Sequence, residues 1–194
     1  EVDFRSVHAL VGKMKTVGGV KYYRAKDKHW LAAQDVGLVV APATWPEDAN
    51  KGQKWIEISI TNQTLVLWEG KTPVYATLIS SGRSDKHNKD KDHKTVTGSF
   101  RIREKHVSAT MDGDEASAES FDLRDVPWVQ YFHDGFALHA AYWHDEFGRP
   151  RSHGCVNLAP VDAAWLFGWT TPEVPQGWHG AMVPRGSTVV WTHP

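Results

Sequence analysis

Apolar and polar residues alternate in short runs along most of the chain, which predicts strands rather than long helices. The three isoleucines of residues 55–60 occupy every second position, so they share one face of a strand. Turn residues then separate two more apolar runs at 65–68 and 74–80. This arrangement predicts a β-meander.

Three later runs predict further strands: 97–102, 136–139 and 188–191. Residues 160–167 predict a short helix, since proline is tolerated in the first helical turn and Gly168 can end the helix. The sequence therefore predicts a mostly β, β-rich α+β fold with one or two short helices.

The N-terminal part of the chain has a different pattern. Short apolar runs at 20–23, 30–33 and 36–40 are split by turn residues, which predicts a small β-rich unit of the SH3 type or a truncated one. Residues 41–52 contain two prolines and many polar residues, typical of a linker. We therefore divide the chain into a small segment with its linker, 1–50, and a main domain, 54–194.

Composition excludes some classes of function. The 194 residues carry a formal net charge of −1, which is not the balance of a nucleic-acid or anionic-membrane protein. No apolar run approaches the length of a membrane span, and we expect no transmembrane segment in this chain. The sequence starts at Glu1 without methionine, so we expect a processed or trimmed chain from which any export signal has gone.

Cys155 is the only cysteine, so it forms no intramolecular disulfide. It is then a buried bystander, a metal ligand or a nucleophile. A nucleophilic thiol needs a base to take its proton and N–H groups to stabilise the attacked carbonyl oxygen. His139 and His153 are candidate bases, and Gly154 permits a tight turn that exposes N–H groups beside the sulfur.

A zinc site is the main alternative for this cysteine. Its ligands would be Cys155, His153, His144 and His139, which lack the closely spaced pairs of common zinc motifs. We therefore rank zinc below the nucleophile and expect no metal and no cofactor.

The residues around Cys155 resemble the active-site signature of the L,D-transpeptidases, the YkuD-type catalytic domains. Residues 152–157 read Ser-His-Gly-Cys-Val-Asn, and His139 precedes them by a short gap. Residues 80–82 and 97–100 are similar to the family's S-x-G and T-G-x-F blocks. Two departures are minor: Val96 stands where the family has proline, and Ala140 where it often has glycine or serine.

The resemblance implies a YkuD-like β-sandwich or partly open barrel that acts on peptidoglycan stem peptides. Cys155 would attack the carbonyl of the third residue of a tetrapeptide stem, release D-alanine and form a thioester. An amine would resolve the thioester by crosslinking, D-amino-acid exchange or protein anchoring. A carboxypeptidase that uses water on the same scaffold and an inactive peptidoglycan-binding module remain alternatives.

The resemblance also implies roles for single residues. His139 would be the general base, oriented by the Ala140 carbonyl, and the N–H groups of His153, Gly154 and Cys155 would be oxyanion donors. Ser152 and Asn157 would brace the loop. Residues expected to line the substrate cleft are Met111, Phe121, Tyr142, Trp143, Arg149, Arg151 and Asn157.

The expected partners follow from the same resemblance. They are peptidoglycan stem peptides and, for one type of acceptor, a wall-anchored protein; nucleic acid is not expected. The expected location is the bacterial cell envelope, periplasmic or otherwise extracytoplasmic.

Overall fold

The computed structural model describes residues 2–3, 5–84, 92–112, 122–183 and 185–194. Its first sheet is N-terminal and antiparallel, in the order β1-β2-β3. The strands are β1 (Leu10–Val17), β2 (Val20–Ala25) and β3 (Trp30–Ala32). The strand predicted at 36–40 is wrong, because a 3₁₀ turn at Ala33–Asp35 ends the sheet and the chain then continues without regular structure.

The second sheet contains the predicted meander and the closing strand, in the order β6-β5-β4-β13-β7. The strands are β4 (Lys54–Ser59), β5 (Thr64–Glu69), β6 (Thr72–Leu78), β7 (Gly98–Arg101) and β13 (Val189–His193). β13 runs parallel to β4 and antiparallel to β7, so the C-terminal strand lies inside the sheet, between these two strands.

The third sheet has the order β11-β10-β9-β8-β12. Its strands are β8 (Glu104–Asp112), β9 (Asp122–His133), β10 (Phe136–Ala140), β11 (Val156–Leu158) and β12 (Gly180–Met182). All neighbours are antiparallel except β10 and β11, which are parallel. This one parallel pair forms the candidate site.

The two larger sheets enclose the main hydrophobic core. Alternation places one face of each strand inward, so that every second side chain is buried between the sheets. The core residues come from β4, β5, β9, β10 and β11: Ile56, Ile58, Leu65, Leu67, Phe132, Leu138, Ala140, Val156 and Leu158. The mostly β fold is therefore confirmed, and the sheets are open rather than closed into a barrel.

The outer face of the second sheet is covered by the segment predicted to be a linker. This segment contains a short helix, α1 (Glu47–Asn50), whose Ala49 packs against Trp55. Trp55 and Trp68 stack with ring centroids 5.4 Å apart, and Trp45 meets both edge-on. Residues 41–52 thus pack against the main sheet.

Helix α2 (Pro160–Trp169) packs under β10 and supports the site from the core side. It includes Gly168 and ends at Trp169, two residues beyond the predicted end at residue 167. Lys105 of β8 is fully buried, and its Nζ donates to the carbonyl oxygens of Phe167 and Thr170 at 2.5 and 3.0 Å. These carbonyls form the negative end of the helix dipole, while burial lowers the pKa of Lys105 to about 8.

Within the described ranges, none of the helices has the length and apolarity that spanning a bilayer requires.

Candidate active site

The parallel pairing of β10 with β11 brings the two halves of the sequence signature together. Its register sets Leu138 opposite Val156 and His139 opposite Asn157. Leu138 and Val156 both lie in the main core. Because side chains alternate along a strand, His139 and Asn157 project from the opposite face of the sheet.

Cys155 lies on that same outer face, one residue before β11 begins. It is half-buried and packs against a small apolar cluster that includes Ala137 and Met111. Extending the register by one step sets Cys155 beside Ala137, two residues before His139. Strand spacing and rise then separate the Cα atoms of Cys155 and His139 by about 8 Å, a gap that the two side chains can bridge.

His139 is buried and held in one tautomer. Its Nδ1 lies 3.0 Å from the Ala140 carbonyl oxygen, so Nδ1–H donates and Nε2 keeps its lone pair. Burial lowers the pKa of His139 to about 4, against the opposing effect of that hydrogen bond. The ring of Trp143 lies over it at 5.8 Å. At neutral pH, His139 is therefore an uncharged imidazole that can accept a proton.

The Cys155 thiol is also uncharged at neutral pH. Its Sγ donates to the Gly135 carbonyl oxygen at 3.6 Å, and within the described residues it makes no hydrogen bond to His139. Burial raises the pKa of Cys155 to about 11. This state therefore contains no thiolate–imidazolium pair, since both groups have pKa shifts that favour the neutral form.

Alkylation of Cys155 by iodoacetamide is expected to accelerate with pH across the range from 7 to 10. The reason is that the thiolate reacts, and a pKa near 11 leaves only about one thiolate in ten thousand at pH 7. The rate should rise by roughly tenfold per pH unit. Intact-mass spectrometry of quenched samples measures it.

The control for this pH profile is the same chain unfolded in guanidinium, in which Cys155 is the only thiol. Its rate should level off above an ordinary thiol pKa of about 8.5. A folded-state rate that is flat between pH 5 and 8 would indicate an ion pair and contradict the neutral resting state.

The loop that carries Cys155 packs unusually closely against residue 82. Gly154 has φ +124, and a Cβ there would lie 2.9 Å from the Phe136 ring. A Cβ on Gly82 would lie 2.9 Å from the Cα of Gly154. Both positions therefore require glycine, which explains the glycine of the S-x-G block.

Thr95 ties these two glycines together from a buried position. Its Oγ1 accepts from the Gly82 N–H at 2.8 Å and donates to the Gly154 carbonyl oxygen at 2.7 Å. One hydroxyl thus satisfies two buried backbone groups beside Cys155.

Ser152 holds the other side of the loop. Its Oγ accepts from the Gly154 N–H at 3.1 Å and donates to the Cys155 carbonyl oxygen. Its own N–H donates to Ser81, whose N–H and hydroxyl both bond the side chain of Gln63. The loop that carries Cys155 is therefore tied through Ser81 to the first hairpin of the main domain.

Replacing Thr95 with valine is expected to destabilise the protein by about 2–3 kcal/mol, because it leaves two buried backbone groups unpaired. For a chain of this size, that is a fall in Tm of roughly 5–10 °C. Differential scanning calorimetry measures it. Thr95→Ser keeps the hydroxyl and should lose less than half as much; equal losses in both variants would mean that the hydroxyl bridge contributes nothing.

His144 sets the orientation of the Asn157 amide. The Glu146 N–H donates to His144 Nδ1 at 3.3 Å, which puts the ring proton on Nε2. The structure sets Nδ2 of Asn157 3.0 Å from this Nε2. Two N–H groups cannot hydrogen-bond each other, so we assign the amide in the reversed orientation, with its oxygen facing His144. The other end of this buried amide, Oδ1 in the structure and the NH₂ group in the reversed orientation, has no hydrogen-bond partner among the described residues.

The predicted cleft residues fall into distinct environments. Met111 is buried beside Cys155, and Trp143 lies over the His139 ring. Tyr142 is exposed, and its hydroxyl donates to the Arg124 carbonyl oxygen at 3.0 Å. Phe121 lies outside the described residues. The substrate-binding roles of all four remain predictions.

The two predicted arginines differ from each other. Arg151 forms an ion pair with Glu146 at 2.7 Å, while Arg149 is exposed. A further arginine was missed by the sequence analysis: Arg83 Nη2 lies 3.0 Å from Nε2 of His153 at the mouth of the site. Since the exposed ring of His153 faces Arg83, His153 is a poorer base candidate than His139.

The residues of the zinc alternative each face a different partner. His139 bonds the Ala140 carbonyl, His144 the Asn157 amide and His153 the Arg83 guanidinium. In the part of the chain that the structure describes, no three His, Cys, Asp or Glu side chains converge on one point.

Comparisons with known proteins identify the family of this chain. Residues 53–190 match the sequence model of the YkuD family, the L,D-transpeptidase catalytic domain. The chain belongs to the YkuD family. It is therefore a member of a family of L,D-transpeptidases, which are enzymes that act on peptidoglycan.

A relative within this family is YciB of Bacillus subtilis, which carries the name of an L,D-transpeptidase. It is 24% identical over 176 residues, which cover 85% of this chain and 83% of YciB.

Solved L,D-transpeptidases share the YkuD fold. That of Mycobacterium smegmatis superposes with a TM-score of 0.57 at 19% identity, over 73% of this chain and 58% of that one. That of Enterococcus faecium superposes with a TM-score of 0.54 at 23% identity, over 72% of this chain and 49% of that one. An L,D-transpeptidase solved in complex with imipenem superposes with a TM-score of 0.56 at 15% identity, over 95% of this chain and 78% of that one. The chain thus spans about half of the first two solved chains.

Proposed function

We propose that this protein is a peptidoglycan L,D-transpeptidase in which the Cys155 thiol is the nucleophile and His139 the general base. The observation that carries the proposal is the parallel register of β10 and β11. It sets the only thiol of the chain and a buried neutral imidazole on one face of the sheet.

Acylation begins with a neutral thiol. Rotation about the Cα–Cβ bond of Cys155 would exchange its hydrogen bond with Gly135 for one with His139 Nε2. The proton passes to Nε2 as the Sγ–C bond forms at the carbonyl of the third stem residue. The Ala140 carbonyl, which already accepts from Nδ1, stabilises the resulting imidazolium.

Collapse of the tetrahedral intermediate breaks the C–N bond to D-alanine. The proton on His139 Nε2 goes to the leaving amine, and a thioester remains on Cys155. An acceptor amine then attacks the thioester, His139 takes the amine proton, and the departing sulfur recovers it. The imidazole ends each cycle neutral, as its lowered pKa favours.

Fewer backbone N–H groups are available as oxyanion donors than the sequence suggests. The Gly154 N–H is engaged with Ser152 Oγ in this state, so it braces the loop. We propose that the backbone N–H of Cys155 is the principal oxyanion donor and that the backbone N–H of His153 is the second. The Asn157 NH₂ group, which His144 turns away from its own ring, is the candidate donor to a substrate carbonyl on the catalytic face.

A carbapenem test addresses the nucleophile. A carbapenem resembles the acyl donor, and one solved structural relative is in complex with imipenem. One covalent equivalent is expected on this chain by intact mass.

Product analysis separates transfer from hydrolysis. The protein is incubated with a disaccharide-tetrapeptide, with and without an added D-amino acid, and the products are resolved by mass spectrometry. Exchange product or dimer supports the transpeptidase. Tripeptide alone at every acceptor concentration would assign a carboxypeptidase instead, and unchanged tetrapeptide would contradict both.

A further inference from the structure

The N-terminal sheet presents a face that no step of the proposed reaction uses. Register places Lys15 opposite Tyr22 and Arg24 opposite Trp30. Tyr22 and Arg24 are two residues apart on β2, so the four side chains share one side of the sheet. We call Lys15, Tyr22, Arg24 and Trp30 the cationic face.

Aromatic rings hold the two cations of this face in place. Lys15 Nζ lies 4.3 Å from the centre of the Trp30 ring and 5.8 Å from that of Tyr22. The Arg24 guanidinium lies 5.2 Å from the same Trp30 ring. Two positive charges therefore share one indole, which lowers the entropy cost of presenting both to a ligand.

The charges are not neutralised by the protein. In the described residues, no carboxylate lies within ion-pair distance of Lys15 or Arg24, and Asp27 pairs instead with His8 and His29. Residues 10–32 contain six Lys or Arg against one Asp, whereas the whole chain has a net charge of −1. Positive charge is thus concentrated on this small sheet and the rest of the chain is acidic.

The β1 strand, which carries Lys15 of this face, is exposed along its whole length. It is also the edge of its sheet, so an extended polymer can approach the face without displacing another strand. Nothing in the described chain covers Lys15, which is itself exposed.

We propose that the cationic face is a second binding site for the peptidoglycan polymer, separate from the catalytic site, and that it recognises the free carboxylates of stem peptides. The choice of polymer rests on the proposed function. Stem peptides repeat along a glycan strand, so a site that holds one carboxylate cluster raises the local concentration of donor stems at Cys155. The cationic face then holds the protein on the insoluble polymer. The reaction of a soluble peptidoglycan fragment at Cys155 does not require this binding.

The test is co-sedimentation of the full chain with insoluble peptidoglycan that has been stripped of phosphate polymers with hydrofluoric acid. Lys15→Gln/Arg24→Gln should raise the apparent Kd about tenfold at physiological salt. Lys15→Glu alone, with Arg24 unchanged, should raise the apparent Kd by at least the same factor. Both variants should react with a carbapenem within twofold of the unmodified rate.

The chain offers a matched control pair. Lys54 and Lys71 also lie over indole rings, at 5.0 Å from Trp169 and 5.6 Å from Trp45, but on the main domain. Lys54→Gln/Lys71→Gln removes the same charge and should leave the Kd within twofold.

Three results would overturn the inference. They are unchanged binding by the face variants, an equal loss in the control pair, and binding only to walls that retain their phosphate polymers. An inert Cys155 combined with face-dependent binding would instead refute the proposed function and leave the second site standing.

Discussion

Cys155→Ala is expected to remove all turnover and all carbapenem adduct, a loss of more than about 10⁴-fold in rate. No other thiol exists in the chain to substitute for it. Cys155 packs at the edge of a small apolar cluster rather than in the main core, so alanine should cost little stability. Intact mass after carbapenem treatment measures the adduct.

The control for the alanine variant is its thermal transition, which should lie within a few degrees of the unmodified protein. A folded Cys155→Ala chain that still acquires the carbapenem mass would show that another side chain is acylated. That result would contradict the role of Cys155 as the nucleophile.

His139→Gln is expected to lower the acylation rate by about 10²–10⁴-fold, because it removes the lone pair that receives the thiol proton. The thiol has a pKa near 11, so it does not ionise appreciably by itself at neutral pH. The residual rate of the variant should therefore rise steeply with pH, as hydroxide replaces the missing base. Rapid-mix mass spectrometry between pH 6 and 10 measures this.

The unmodified enzyme should show a different pH profile. Its acylation needs neutral His139, so the rate should be lost only as pH falls through about 4, where the imidazole becomes protonated. His106→Gln, a change of a partly exposed histidine on β8, should retain nearly full activity. A His139→Gln variant that reacts as fast as His106→Gln would contradict the role of His139 as base.

Much of the main domain is predictable from the sequence because its strands alternate cleanly. The meander of β4, β5 and β6 is of this kind, since one face of each strand enters the core. The apolar run at 36–40 has no such alternation, and two of its residues, Val39 and Val40, are exposed. The apolar content of this run indicated a strand, but apolar residues without a regular alternation do not define a buried strand face.

The residues that brace the loop of Cys155 are harder to find in the sequence than the candidate pair of Cys155 and His139. Cys155 and His139 belong to a local signature, whereas Thr95, Gln63 and His144 act across long sequence distances. Thr95 bridges Gly82 and Gly154 through one hydroxyl, and a buried threonine has no local pattern that reveals such a bridge. The one signal in the sequence is that Thr95 directly precedes Val96, the position at which the family has proline.

The protonation states were also beyond the sequence. A cysteine and a histidine in one signature suggest an ion pair, but burial shifts the pKa of each group toward its neutral form. Such desolvation depends on the packing of Trp143 and Met111, which only the folded sheet defines.

The most direct test of the central claim is the stoichiometry of D-alanine release from a disaccharide-tetrapeptide. The account predicts one D-alanine for each tripeptide unit transferred or freed by the unmodified chain, and none from Cys155→Ala. Release of D-alanine by the alanine variant, or processing of the stem without its release, would contradict thiol attack on the third stem residue.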